Sequence, residues 1–224
     1  MIRDTLKKYP KSLNALLSAR QSLFRSLTRK EIEKYGDVEI QPRNEAATDD
    51  PATALFLRAI MIGKHKSVVE IGSFDGSRIV TLKKMQPNID AYGLDILKNY
   101  RTPFKRLGVS FEMYTPDFFN RELERPLMTS RGTMSYYEPD QLEKMFEVLK
   151  KNGVSIAFYE PSPFFHVERP TIRYRKKNRI ARYYPYDDML EAAGYTLTAD
   201  KRNTYFWARS LYGLECLRFQ YATI

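Results

Sequence analysis

Apolar residues recur at spacings of three and four from Leu6 through Tyr9, Leu13, Leu16, Leu17, Leu23, Phe24 and Leu27, the period of one helical face. The pattern predicts an amphipathic, basic helix over Thr5 to about Leu27, with Pro10 as a break. Residues 37 to 50 carry no period and are expected to form a loop. Asp50 followed by Pro51 matches an N-cap with proline at the first helical position, so a helix is expected from Pro51 to about Gly63. From Ser67 short apolar runs alternate with helical segments, the pattern of a parallel sheet covered on both faces. Strands are expected at Ser67 to Ile71, Ile89 to Leu94, Val109 to Tyr114, Leu127 to Ser130 and Val154 to Tyr159. Helices are expected at about Ser77 to Met85, Lys98 to Leu107 and Pro139 to Lys151, the last stopped by Gly153. Tyr186 to Ala193 reads as helix, and Tyr195 to Ala199 with Glu215 to Tyr221 as a terminal antiparallel pair. The fold class is therefore α/β: a doubly wound, mostly parallel, seven-stranded sheet with an antiparallel C-terminal strand and an added N-terminal helix.

Composition leaves that picture standing and removes alternatives. A chain of 224 residues is enough for one domain with a core, and 43% apolar with 29% charged residues is ordinary for a globular protein. One cysteine, Cys216, excludes a disulfide scaffold, and two histidines, His65 and His166, give no metal-site spacing, so no metal is expected. With no apolar signal-peptide core and no membrane-spanning run, a cytoplasmic setting is expected. Charge changes the picture more. The net +10 is concentrated in residues 1 to 36 and 164 to 184, each net +6, around a body of net −2. Two basic appendages point to an anionic partner: a phosphorylated or nucleotide-linked substrate, RNA, or an acidic membrane surface. Residues 1–50 are thus set apart as a basic helical extension, placed over a pocket, on the domain itself or at the inner membrane surface. Residues 51–224 are expected to form the α/β catalytic domain, with a basic insertion at about 161–185.

The chemistry-bearing stretch runs Val68-Val69-Glu70-Ile71-Gly72-Ser73-Phe74-Asp75-Gly76-Ser77, joining the first strand to its helix. Gly72 and Gly76 permit a tight turn and close approach of a ligand, and the helix beyond offers unpaired amides. Nineteen residues past Gly76, Asp95 ends the second strand, where an acid accepts hydrogen bonds from ribose hydroxyls. The glycine spacing is Gly-x-x-x-Gly, with Phe74 where a dinucleotide fingerprint has its middle glycine, so a pyrophosphate would be crowded. Glu70 disfavours phosphate and suits a ligand with an ammonium and a sulfonium. On these residues, positions of about 51 to 221 resemble a class I S-adenosylmethionine-dependent methyltransferase with a Rossmann-like sheet. The resemblance implies that Glu70, Gly72, Ser73 and Gly76 hold the methionine part, that Asp95 binds the ribose and that Asp117 binds the adenine amine. The expected cofactor set is completed by Phe74, Ile96 and Ser130.

Methyl transfer from a sulfonium is an in-line displacement in which positioning does most of the work. A hydroxyl acceptor gains from a general base, and Tyr136, Glu160 and His166 are the catalytic candidates near the ends of the fourth and fifth strands. Arg131, Tyr137, Arg173 and Arg175 are the candidates for binding the acceptor. The stretch Thr129 to Tyr137 has no Asn or Asp followed by Pro-Pro and an aromatic, which argues against amino-methylation of adenine or glutamine. No cysteine stands near these strand ends, which excludes a covalent cytosine mechanism. What remains resembles the small-molecule and sugar methyltransferases of bacterial glycan or natural-product pathways, and implies O-methylation of an anionic or sugar-containing acceptor under a basic lid. Other readings stay open: an RNA methyltransferase using the insertion as a clamp, and a catalytically silent fold that binds its cofactor for assembly. An adenosine-cofactor oxidoreductase is disfavoured by the loop spacing.

Overall fold

The computed structural model describes residues 50–163, 168–176, 179–203 and 215–224. The expected N-terminal helix and His166 lie outside the described residues. Helix α1 spans Pro51–Gly63, capped by the Asp50 carboxylate, which accepts from the Ala52 amide at 3.2 Å. Then come β1 (Ser67–Ile71), α2 (Ser77–Met85), β2 (Asp90–Asp95), β3 (Phe104–Arg106), β4 (Val109–Met113), β5 (Pro126–Arg131), α3 (Pro139–Lys151) and β6 (Ser155–Pro163). Strands β7 (Thr171–Lys176) and β8 (Arg179–Tyr183) form a separate hairpin, followed by α4 (Tyr186–Ala192), β9 (Thr196–Asn203) and β10 (Glu215–Thr223).

The main sheet has eight strands in the order β3-β4-β2-β1-β5-β6-β10-β9. β1, β2, β4, β5 and β6 run parallel, while β3 and β10 run against their neighbours. The chain winds outward from β1 to β4 and then returns to β5 on the other side, so the direction of winding reverses beside β1. In open α/β sheets that reversal leaves a crevice at the carboxyl ends of the strands.

All five residues of β1 are buried, as a central parallel strand requires. Its alternating side chains feed two cores. Val68 packs with Phe56, Ile60, Ile79 and Leu82 of α1 and α2, whereas Val69 and Ile71 pack with Leu142, Phe146 and Leu149 of α3. One expected element is absent: Lys98 to Leu107 is not a helix but a 3-10 turn (Lys98–Tyr100) followed by β3. Tyr100 turns inward against Phe104 and Phe111, and the Phe104 ring stacks on Phe111 at 5.0 Å across the β3–β4 pair, a contact stronger than the local helical period. The eighth strand is the result. No helix among the described residues is long and apolar enough to cross a membrane.

Candidate functional site

The turn leaving β1 is tied to β2, because the Gly72 and Ser73 amides both donate to the Leu94 carbonyl, at 2.8 and 3.1 Å. Gly72 has φ +71°, and a Cβ placed there would stand 2.1 Å from the Thr133 hydroxyl oxygen, so the chains leaving β1 and β5 touch at this point. Gly76 (φ +72°) caps α2, and its Cβ would strike the Phe111 ring at 2.6 Å. Both glycines are fixed by contacts that no other residue permits. Between them Phe74 takes the left-handed conformation too, at φ +53°, which costs a non-glycine residue about 1–2 kcal/mol. Hydrogen bonds hold it there. Its amide donates to Asp95 Oδ2 at 2.8 Å, and its carbonyl accepts from the Tyr100 hydroxyl at 2.8 Å, which in turn accepts from Ser73 Oγ at 3.0 Å. The Phe74 ring is 54% exposed at the mouth of the loop, so an aromatic fills the glycine position without closing the turn.

Asp95 ends β2 as expected and organises the rim. Its Oδ1 accepts from the Ile96 and Leu97 amides at 2.7 and 3.2 Å, so Ile96 contributes its backbone here. Burial raises the Asp95 carboxyl from its ordinary value, against these amide bonds. Oδ2 accepts one bond, from Phe74, and keeps a lone pair for a ligand hydroxyl. Asp117 lies exposed in the 3-10 turn Pro116–Asn120 beyond β4, on the same edge of the sheet. A turn of backbone open to close approach, an acceptor beside it and a second acid farther along the rim fit a ligand made of an adenosine and an amino-acid end.

On the α1–α2 face beneath the loop the charges answer one another. Glu70 is fully buried and pairs through Oε1 with Arg78 of α2, whose Nε donates to Asp50 Oδ2 at 2.7 Å. The expectation that Glu70 offers its charge to a cationic ligand is therefore corrected: that charge is met inside the protein. Arg131, expected at the acceptor, ends β5 on this same face, with Nη2 3.5 Å from Asp50 Oδ1.

The opposite face carries a second buried glutamate. Glu160 of β6 accepts through Oε1 from Ser130 Oγ (3.1 Å), the Thr133 amide (3.0 Å) and the Met134 amide (3.1 Å), and so fastens the 3-10 turn Met134–Tyr136. Only 1% of it is exposed, so the structure makes Glu160 a holder of the turn rather than a base at the acceptor. Ser130 is likewise fully buried and spends its hydroxyl on Glu160 rather than on a ligand. Tyr136 sits half-buried in the turn, its amide donating to the Thr133 carbonyl at 3.1 Å. The Tyr137 ring meets Tyr114 edge-on at 6.2 Å, and burial pushes its phenol well above the ordinary range, which makes it a donor and not a base near neutral pH.

Tyr137 and Glu138 also anchor the hairpin. Buried Arg182 of β8 donates to both Glu138 carboxylate oxygens (3.2 and 3.0 Å) and to the Tyr137 carbonyl (3.3 Å), which the Tyr184 hydroxyl reaches as well. Arg173 and Arg175 are carried on β7 of this hairpin. Arg78, Tyr100, Thr133 and Arg182 were not singled out in the sequence. An arginine in the first turn of α2, eight residues beyond a strand-end glutamate, is the one local signal that could have found Arg78.

No family model and no curated protein matches the chain. Solved structures do. The N-terminal domain of EvdMO1, in the presence of SAH and D-fucose, superposes with TM-score 0.53 over 88% of this chain and 97% of that one, at 13% identity. The methyltransferase domain of bacterial CtHen1-CN gives 0.51 over 77% and 97%, at 13% identity. The Burkholderia thailandensis 1,6-didemethyltoxoflavin-N1-methyltransferase, with 1,6-didemethyltoxoflavin and S-adenosylhomocysteine bound, gives 0.50 over 79% and 80%, at 12% identity. The fold of this chain is that of the class I S-adenosylmethionine-dependent methyltransferases.

Proposed function

We propose that this protein is an S-adenosylmethionine-dependent methyltransferase that methylates a hydroxyl of a small anionic or sugar-containing acceptor, in a bacterial glycan or natural-product pathway. The observation that carries this reading is the loop from Gly72 to Gly76, held open against Asp95 at the strand-order reversal of a methyltransferase fold. Structural neighbours crystallised with SAH support the cofactor, and D-fucose in one of them supports a sugar-like acceptor. When bound, S-adenosylmethionine supplies an electrophilic methyl group on a sulfonium.

The residues of the chain have the remaining work of binding and orientation. Gly72, Ser73, Phe74 and Gly76 present backbone to the methionine part, Asp95 accepts from the ribose and Asp117 stands for the adenine. Tyr137, whose phenol is kept protonated by burial, is assigned to binding the acceptor. Arg173 and Arg175, in the sequence of β7, are assigned to the acceptor because an arginine is the residue type that suits a phosphate or carboxylate.

Calorimetric titration with S-adenosylmethionine and S-adenosylhomocysteine tests the reading. Micromolar binding is expected, abolished by Gly72→Arg and weakened roughly 10- to 100-fold by Asp95→Ala, the loss of a charged hydrogen-bond acceptor. A folded wild type that binds neither ligand sinks it.

A further inference from the structure

Two guanidiniums stand on the α1–α2 face at the carboxyl edge, and they are not equivalent. Arg78 is spent: it joins Glu70 and Asp50 at once, and only 13% of its side chain is exposed. Arg131 makes one long contact, 3.5 Å to Asp50 Oδ1, beyond hydrogen-bond geometry for a firm pair, and 36% of its side chain is exposed. Its position is set by the sheet. Ile71 of β1 lies opposite Ser130 of β5 in the parallel register, so Arg131 follows beside Gly72, and the next contact along is Thr133 against Gly72 itself. Alternation puts Arg131 on the face of Thr129 and Glu70, not on that of Ser130 and Glu160.

Charge gives the arrangement its meaning. Asp50, Glu70, Arg78 and Arg131 together are neutral, and Asp75 adds a negative charge that acts on Glu70, so an isolated anion is disfavoured here. An amino-acid zwitterion brings both signs and leaves the balance unchanged. The Arg131 fork has donors to spare for a carboxylate, and the Asp50 carboxylate beside it is the negative partner that an ammonium would need.

We propose that Arg131 binds the carboxylate at the amino-acid end of the cofactor, an inference that rests on the S-adenosylmethionine reading above. It moves Arg131 from the acceptor to the cofactor, and it distinguishes the end of the ligand that Arg131 meets from the end that Asp95 meets.

A pair of ligands isolates that end. S-adenosylhomocysteine and 5′-methylthioadenosine share the adenosine and the thioether, and only the first has the carboxylate. In calorimetric titrations Arg131→Gln is expected to weaken S-adenosylhomocysteine about 10- to 100-fold, the worth of a charged hydrogen-bonded pair, and to leave 5′-methylthioadenosine unchanged. Arg131→Lys keeps the charge without the fork, so its loss is expected to be smaller and confined to the same ligand. It carries the test alone if the glutamine variant fails to fold. Equal weakening of both ligands by the variant that folds, or no change in either, overturns the assignment while wild-type binding leaves the cofactor reading intact. Wild type that binds no S-adenosylhomocysteine overturns both.

Discussion

Glu70 and Glu160 sit on opposite faces of the same sheet, both near the carboxyl edge, both effectively removed from water. Each spends Oε1 on partners and leaves Oε2 buried without a hydrogen bond. Their environments differ in kind. Glu70 is met by a full positive charge, the Arg78 guanidinium shared with Asp50; Glu160 is met only by dipoles, a serine hydroxyl and the amides at the start of a 3-10 turn. Burial pushes both carboxyls up, opposed at Glu70 first by Arg78 and at Glu160 by hydrogen bonds, where the value comes to about 7. A charge met by an ion builds a rigid floor under the glycine loop. One met by dipoles is left able to take a proton.

The largest effect is expected from breaking the ionic side. Arg78→Met removes the partner of a fully buried carboxylate and leaves Asp50 with Arg131 as its remaining cation, which should cost about 3–5 kcal/mol in urea denaturation. Adding Glu70→Leu removes the stranded charge, so the double variant should recover much of that loss. If Arg78→Met alone costs less than about 1 kcal/mol, the pair is dispensable surface electrostatics and the contrast with Glu160 fails.

The dipolar side predicts a pH dependence. An ordinary glutamate titrates at 4.5 and folded Glu160 at about 7, so across that interval the native protein holds a proton that the unfolded chain has released. The raised value therefore stabilises the fold fully below 4.5, and the contribution is lost as pH rises through about 7. For one proton the slope is at most about 1.4 kcal/mol per pH unit. Glu160→Gln should remove that component from the difference in denaturation midpoint between pH 5 and pH 8.

The contrast also separates what the chain discloses locally from what it does not. The glycine loop, Asp95 and the helix over Pro51–Gly63 were legible because each is set by a short-range demand: a positive φ, a strand end, a cap followed by proline. The segment after Lys98 was misread because its fate is set from outside, by Tyr100 reaching back to Ser73 and Phe74 and by Phe104 stacking on Phe111. Glu160 and Ser130 look, at their strand ends, like a catalytic base and a cofactor contact, and only the parallel register of β5 and β6 brings them together and turns them inward. Arg131 likewise follows the motif of one face in sequence and joins the other face in space, since one step along a strand reverses the side chain.

Ser130→Ala gives the smallest and sharpest test. It removes one of the donors that favour the ionised form of Glu160 and leaves the Arg78 cluster untouched, because Ser130 faces the other way. Without that hydroxyl the Glu160 carboxyl should climb above about 7. The loss of stability should be about 1 kcal/mol at pH 8, where the hydrogen bond serves a carboxylate, and smaller at pH 5, where it serves a neutral acid. A cost that is the same at both pH values would mean that Glu160 stays ionised throughout, held as firmly by a serine and two amides as Glu70 is by an arginine, and the distinction between the two faces would rest on geometry alone.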